Sequence, residues 1–489
     1  MKLYFIGHDY KYAAEQMLLT LFPGRRPEYP EVPAAEGEDH LTLSLHKGSL
    51  WVTATARLSL DGTTYAARRR CHTSELSGGL ATDRACQRIL KLAFYQAGTQ
   101  ALGVQPPWGA LTGVRPVKIP TKAILSGKSV AQARTLLEQE YFVSPDRARL
   151  AMDCAGASLS VDRSLNPDEV SLYVGIPFCP TRCAYCSFIS ADVGRSLKLV
   201  SPYLDSLLRE VEQAGLGLKD AGKFIRSLYV GGGTPTTLSA AQLDLLLSTM
   251  EEHLPLSRCT EYTVEAGRPD TITWEKLDVL KRHGIGRISI NPQTLEDHVL
   301  EAIGRQHSAG DIAEANALAR EVGFDCINMD LIAGLPRDSF EGFRRSLEGV
   351  LAMTPENITV HTLALKKGSR LMEEKGSIPS GDEVARMLEF SNKTLRNAGY
   401  VPYYLYRQKY MSGSLENVGW AKPGKENVYN ICMMEELHSV LSLGAGGVTK
   451  LVDRETGAIR RISNPKFPYE YMELLPQILE QKRKLWTQD

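Results

Sequence analysis

The sequence has no excess charge of either sign: 57 Lys and Arg stand against 57 Asp and Glu in 489 residues. A chain so balanced has no general attraction for nucleic acid or for an anionic membrane surface. Long apolar runs are missing too, and none approaches the ~20 residues that a bilayer-spanning helix needs, so no membrane insertion is expected. The N-terminal stretch Met1–Asp9 reads as a strand ending in polar residues and lacks a signal-peptide profile. Cysteine is sparse: there are nine, an odd number, and Cys71, Cys86, Cys154, Cys259, Cys326 and Cys432 are scattered. That argues against a disulfide framework and for a reducing, cytoplasmic setting. Hydrophobic content of 43% and charged content of 23% are ordinary for a globular chain, and the length suggests two to four domains.

The other three cysteines are not scattered. Tyr173-Val174-Gly175-Ile176 reads as a short buried strand, kept extended by Pro177 and stopped by it. Behind it come Cys179, Cys183 and Cys186, spaced C-x3-C-x2-C. Three thiols on one loop at a strand's C-terminal end suggest a soft-metal site, either half of a zinc site or an iron–sulfur site. Structural sites of either kind take four protein ligands. Three ligands leave one position open for a substrate or cofactor.

From about Ser171 strands alternate with amphipathic helices. Strands are expected at Leu172–Ile176, Ser227–Val230, Tyr262–Glu265, Arg287–Ile290, Cys326–Ile332 and Asn357–His361, with Ser239 capping one intervening helix and Gly284 ending another over Thr273–His283. Repeated βα units imply a parallel sheet with right-handed crossovers, and six units make an open, partial (β/α)6 TIM-like barrel. Chemistry in such barrels sits at the C-terminal ends of the strands. Ahead of it, residues 1–165 read as an N-terminal α/β module. This module has a hairpin around Lys47-Gly48, a mobile loop over Pro23–Asp39, a Thr82-capped helix stopped by Gly98, and helices near Val130–Leu137 and Pro145–Ala157. Its Gly/Pro-rich segment Trp108–Pro116 reads as a docking loop, and Arg68-Arg69-Arg70 as a solvated strand end. Residues 166–364 are then the barrel, and 365–489 a C-terminal accessory region covering the barrel mouth, with helices at Asp382–Ala398 and Pro468–Trp486.

Further motifs fall at the expected strand ends. Gly231-Gly232-Gly233-Thr234-Pro235-Thr236 follows the second strand, where consecutive glycines let a ligand approach the backbone and present bare N–H groups. Glu265 ends the third strand, where a carboxylate can accept hydrogen bonds from ribose hydroxyls or an ammonium group. The cysteine loop resembles the cluster loop of radical S-adenosylmethionine (SAM) enzymes. Over about Tyr173 to Gly446 the chain resembles, more narrowly, the oxygen-independent coproporphyrinogen III oxidase family (coproporphyrinogen dehydrogenases), in its branch with an added front domain. The resemblance implies a 4Fe–4S cluster held by Cys179, Cys183 and Cys186, with the fourth iron left for SAM. It places Gly232, Gly233 and Thr234 at the SAM amino group. It also implies SAM contacts from Glu265, Gln293, Arg305 and Asp330, where Arg305 suits the carboxylate through its fork, and from Tyr173, Tyr185 and Ala364.

By the same resemblance the radical formed from SAM abstracts hydrogen from a propionate of coproporphyrinogen III. Loss of CO2 and one electron leaves a vinyl group, and two rounds give protoporphyrinogen IX in anaerobic haem biosynthesis. An electron donor such as flavodoxin or ferredoxin is implied. A tetracarboxylate substrate needs cations, and Lys366, Lys367, Arg370, Arg407 and Lys409 are candidates, with the aromatic stretch Tyr403–Tyr410 as a pocket wall or a packed strand. Two departures stand beside this reading. Phe188 occupies the position where the well-known oxidases carry a fourth cysteine, a cysteine that the family's haem-chaperone branch also lacks. That branch's His-Asn-x-x-Tyr-Trp segment, however, corresponds here to Tyr429-Asn430-Ile431-Cys432-Met433-Met434, without the histidine. A haem-trafficking protein and a radical SAM enzyme acting on RNA or another substrate are the alternatives.

Overall fold

The computed structural model describes residues 1–76, 78–186, 191–365, 369, 371, 378–408 and 415–485. The chain packs as two compact units, Met1–Met152 and Asp153–Asp489. The division falls inside the helix Pro145–Ser164, ahead of the boundary at 165 suggested by the sequence. Residues after 365, read from the sequence as a separate region, lie in the same unit as the barrel.

In the first unit β1 (Lys2–Ile6) pairs parallel with β2 (His40–Lys47), and β2, β3 (Trp51–Leu60) and β4 (Thr63–His72) form an antiparallel meander. Alternation in β2 and β3 turns Leu41, Leu43, Leu45, Val52, Ala54, Ala56 and Leu58 to one face, where the helices Lys11–Leu21 and Gly79–Leu102 cover them. The second helix differs from expectation at both ends. It starts at Gly79, with Thr82 in its first turn accepting from Gly78 N, and ends at Gly103, which has φ 68°. Gly98 is instead a contact point, because a Cβ there would lie 2.5 Å from Leu21 Cδ1. The Pro23–Asp39 stretch is tied to β1 by Leu3 N–H to Glu28 O at 2.8 Å and Glu28 N–H to Met1 O at 3.0 Å.

The second unit is built on an eleven-stranded sheet. Its centre is six parallel strands in chain order: β5 (Glu169–Ile176), β8 (Phe224–Gly232), β9 (Glu261–Gly267), β10 (Arg287–Ile290), β11 (Ile327–Ala333) and β12 (Asn357–Thr362). The short pair β6 (Phe178–Cys179) and β7 (Ala191–Asp192) lies in the cysteine loop. Crossover helices start where a hydroxyl caps them: Ser239, Thr273, Ser308, Ser339 and Ser380 each accept a backbone N–H of the first turn, worth about 1 kcal/mol apiece. The C-terminal stretch extends both edges. β13 (Val401–Tyr406) and β14 (Asn417–Ala421) add antiparallel beyond β12; β15 (Val440–Leu443) pairs parallel with β5 and continues into β16 (Val448–Val452) and β17 (Ile459–Ser463). The terminal helix is two helices, Pro468–Glu473 and Leu475–Arg483.

One further helix, Val428–Glu435, enters at the N-terminal ends of the strands. Glu261, the first residue of β9, accepts Val428 N–H at 2.8 Å and Tyr429 N–H at 2.9 Å. Arg287, the first residue of β10, pairs with Glu261 at 3.0 Å and binds the carbonyls of Lys425 and Glu426. A carboxylate at a helix N-terminus is where the orphan N–H groups and the helix dipole favour it. The helix thereby brings Tyr429 into an aromatic layer: its ring stacks on Tyr229 at 4.7 Å and lies 6.4 Å from Tyr173.

Candidate functional site

The cysteine loop is anchored by contacts that do not involve sulfur. Ala184 N–H donates to Ile303 O at 2.9 Å, Thr181 Oγ1 donates to Gly304 O at 3.1 Å, and Ala184 packs among Val299, Leu300, Ile303, Ile332, Leu335, Leu363 and Leu371. All three thiols are half-buried and outside any disulfide. Two receive donors: Thr234 Oγ1 stands 3.6 Å from Cys179 Sγ, and Arg268 Nη1 stands 3.8 Å from Cys183 Sγ. Arg268 is itself buried and fixed by Asp270 at 3.0 Å and by Thr181 Oγ1 at 3.1 Å. Donors and a cation aimed at sulfur complement the charge that a metal-bound thiolate carries. Among the described residues no group of three His, Cys, Asp or Glu converges as around a single ion. A donor set of three thiols with hydrogen bonds to two of the sulfurs fits a cluster, whose irons are bound one thiolate each.

The glycine turn closes onto this loop. Gly233 N–H donates to Ile176 O at 2.8 Å and Thr234 N–H to Phe178 O at 2.7 Å, while Gly232 N–H points to Glu265 Oε2 at 3.3 Å. Those N–H groups are therefore engaged, not bare as expected; the turn has carbonyl oxygen and the Glu265 carboxylate to offer, which suits a cation. Side chains are excluded by contact. A Cβ on Gly233 would sit 2.5 Å from Phe178 O, and one on Gly231 2.9 Å from Glu265 Oε2; Gly232 has φ 112°. Glu265 also accepts the Tyr229 hydroxyl at 2.5 Å. Burial pushes its carboxyl up to about 7, against the pull of the Tyr229 bond and with a further push from Asp330. Tyr173 stacks on Tyr229 at 6.3 Å beside the turn.

Across the mouth, Gln293 holds φ 69°, a left-handed conformation that costs a non-glycine residue of order 1 kcal/mol or more. It is held there by Gln293 N–H to Asp330 O at 2.8 Å and Ile332 N–H to Gln293 O at 2.9 Å, which carry the β10–β11 pairing past the strand end. Asp330 accepts Asn328 Nδ2 at 2.9 Å and lies 3.8 Å from His361 Nε2. Burial alone would raise its carboxyl, but the His361 bond and charge, with Asn328 and Thr359, hold it below the ordinary value. Arg305 is oriented beside the cysteine loop: its Nη1 donates to Asn291 O at 2.5 Å and its Nη2 to the Tyr185 hydroxyl at 3.1 Å, while its buried Nε has no partner among the described residues. Ala364 lies two residues beyond β12, half-buried.

The structure thus brings Tyr173, Gly232, Gly233, Thr234 and Glu265 together on one side, Gln293 and Asp330 on the other, and Tyr185 and Arg305 behind the cysteines. It also supplies residues that the sequence reading did not single out: Tyr229, Arg268, His361 and the ring of Tyr429. Tyr229 and His361 were signalled by strand alternation, as polar groups on the inward period of otherwise apolar strands. Of the suggested substrate cations, Arg407 is buried, and burial pushes its guanidinium down to about 10. Lys366, Lys367, Arg370 and Lys409 lie outside the described residues, as does Phe188. Tyr403 and Tyr404 are packed strand residues.

A partial barrel of six parallel strands with a three-cysteine loop behind the first is the architecture of radical SAM proteins, and residues 173–348 match the model of the radical SAM superfamily. Over 391 residues the chain is 42% identical to the oxygen-independent coproporphyrinogen-III oxidase-like protein HemZ of Bacillus subtilis (strain 168), covering 79% of this chain and 78% of that one. It is 31% identical over 313 residues to the heme chaperone HemW of the same organism, covering 61% and 77%. The coproporphyrinogen III oxidase HemN of Escherichia coli, described as a radical SAM enzyme, has the same fold, with TM-score 0.52 and 24% identity over 67% of this chain and 73% of that one. The chain belongs to the radical SAM family that holds the oxygen-independent coproporphyrinogen III oxidases, their oxidase-like relatives and the heme chaperones. Radical SAM proteins bind a 4Fe–4S cluster and SAM. Among the described residues no helix is long and apolar enough to cross a membrane.

Proposed function

We propose that this protein is an oxidoreductase that converts propionate side chains of coproporphyrinogen III to vinyl groups, giving protoporphyrinogen IX. The observation that carries the reading is the convergence of the Cys179–Cys183–Cys186 loop, the glycine turn with Glu265, and the Gln293–Asp330 pair at one end of the barrel. When bound, the cluster and SAM supply the one-electron chemistry that removes a hydrogen atom from the substrate. In this proposal Cys179, Cys183 and Cys186 hold the cluster, and Arg268 and Thr234 donate to the Cys183 and Cys179 sulfurs. Glu265 and the carbonyls of the glycine turn receive the SAM ammonium group. Asp330, kept ionised by His361, and Gln293 line the opposite wall. The half-buried rings of Tyr173 and Tyr229, backed by the buried ring of Tyr429, floor the site and exclude water from it. Arg305, oriented by Asn291 O and the Tyr185 hydroxyl, meets the SAM carboxylate.

The test is anaerobic incubation of the reconstituted protein with SAM, reductant and coproporphyrinogen III. The expected result is stepwise loss of two CO2 by mass. Unchanged substrate together with stoichiometric haem binding would overturn it in favour of haem transfer, the reading supported by likeness to the heme chaperone.

The Glu265 carboxyl gives a pH signature. Its folded value near 7 lies above the ordinary 4.5, so it is neutral below and ionised above that point, and only the ionised form attracts an ammonium group. SAM affinity is expected to rise as pH climbs through about 7. Glu265→Gln should flatten that rise and weaken binding about tenfold at higher pH. Equilibrium dialysis of labelled SAM across the pH range measures both effects, and an unchanged profile in the variant would remove Glu265 from the site.

A further inference from the structure

The N-terminal unit contains a cavity of about 420 Å³ on one side of the long helix Gly79–Leu102, within the size range of small-molecule sites. Its charge is one-sided. Arg84, Arg88, Lys91 and Arg115 line it against a single carboxylate, Glu75. A second cavity of about 420 Å³, lined by Arg69 and Arg70, shares Glu75, Arg88 and Leu92 with the first. The remaining wall is apolar, from Leu92, Ala110, Leu111, Pro116 and Ile119, with Tyr141 at its side.

Most cations on a protein surface are solvated or paired, and Arg88 is paired, with Glu75 at 2.5 Å and Glu140 at 3.9 Å. Lys91 is different. Its ammonium donates to Thr112 Oγ1 at 3.3 Å, and no carboxylate among the described residues stands within ion-pair distance of it. Lys91 is half-buried, and burial lowers its pKa. A desolvated cation without a counter-ion is costly in a folded protein, and an anion in the cavity removes that cost. Thr112 and Arg115 come from the Trp108–Pro116 segment, which is anchored at its first residues. Trp108 is buried, Ala110 N–H donates to Tyr141 O at 2.8 Å, and Gly109 has φ 54° where any Cβ would collide with the Tyr141 and Phe142 backbone. Arg69 and Arg70 are likewise oriented, over the rings of Phe142 at 5.3 Å and Trp51 at 4.3 Å.

We propose that the N-terminal unit has its own ligand site, in which Lys91, Thr112, Arg84 and Arg115 receive a small organic molecule bearing two or more phosphate or carboxylate groups. The site is independent of the radical SAM reading, since every residue in it lies within Met1–Met152.

Calorimetric titration of the full-length protein with ATP as the phosphate probe and citrate as the carboxylate probe tests it and separates the two chemistries. One probe is expected to bind with a stoichiometry of one. Lys91→Met, which keeps the stem but removes the charge, and Arg84→Gln, at an exposed position, should each weaken that binding about tenfold or more. Thermal melts that match the parent protein show that the variants are folded; Arg84→Gln carries the test if Lys91→Met melts early. No heat from either probe, or binding unchanged in the folded variants, overturns the proposal.

Discussion

Cys183→Ala should purify as a folded protein that cannot be loaded with a 4Fe–4S cluster. The reasons are separable in the structure. Folding of the loop depends on Ala184, Thr181 and Ile303, through two hydrogen bonds and a buried apolar contact set, none of which includes the Cys183 sulfur. Cluster binding depends on thiolates, and two remaining thiolates cannot hold three irons. Anaerobic reconstitution followed by iron and sulfide analysis is the measurement, with SAM cleavage and substrate decarboxylation expected at background. Cys432→Ala serves as the contrast. Cys432 is fully buried, and burial pushes its thiol up, as for a small core side chain. It should lose stability and keep its iron. Full iron and sulfide in Cys183→Ala would end the ligand assignment and, with it, the reading of the site.

The barrel was legible because its strands are buried on both faces. Leu172 to Ile176 is a short apolar run, Arg287 to Ile290 carries Ile288 and Ile290 on one face, and Ser239 caps where a hydroxyl ahead of an apolar period predicts. β9 runs past both ends of its reading, Tyr262–Glu265: it starts at Glu261, a charged residue that looks like a loop until Arg287 and the Val428–Glu435 helix are seen to neutralise it. Pairings across hundreds of residues were out of reach. Nothing local to Val440–Leu443 announces that it lies beside β5, nor does Tyr429 announce that it stacks on Tyr229. The cysteines and glycines of the site could be read because each motif is contiguous. What the glycine N–H groups do could not, since Ile176 and Phe178 claim Gly233 and Thr234 only once the loop folds back. For Arg305 the spacing located the residue, but it could not show that Asn291 O and the Tyr185 hydroxyl would orient it.

The β5–β15 seam leads to the last expectation, that Glu210→Ala destabilises the barrel unit by about 3–5 kcal/mol. Glu210 lies fully buried on the helix Val193–Asp220. One oxygen accepts Lys482 Nζ at 2.5 Å and Asn464 Nδ2 at 3.0 Å; the other accepts Gly444 N–H at 2.7 Å and the Tyr471 hydroxyl at 2.6 Å. Four donors from four separate segments of the C-terminal stretch thus depend on one carboxylate. Seven residues earlier on the same helix, Tyr203 donates to Gly175 O at 2.6 Å and accepts Ala445 N–H at 2.9 Å, so the seam beside the cysteine loop is held by the same helix. Removing the carboxylate strands Lys482, an ammonium buried to 4% exposure, with Ser442 O as its remaining partner. The loss should therefore exceed that of any one hydrogen bond. Urea unfolding followed by far-ultraviolet dichroism measures it. The double variant Glu210→Leu with Lys482→Met should recover much of the loss, because an apolar pair in place of a buried ion pair leaves no charge unpaired. A single variant within about 1 kcal/mol of the parent would mean that the C-terminal stretch is held to the barrel by its apolar contacts alone.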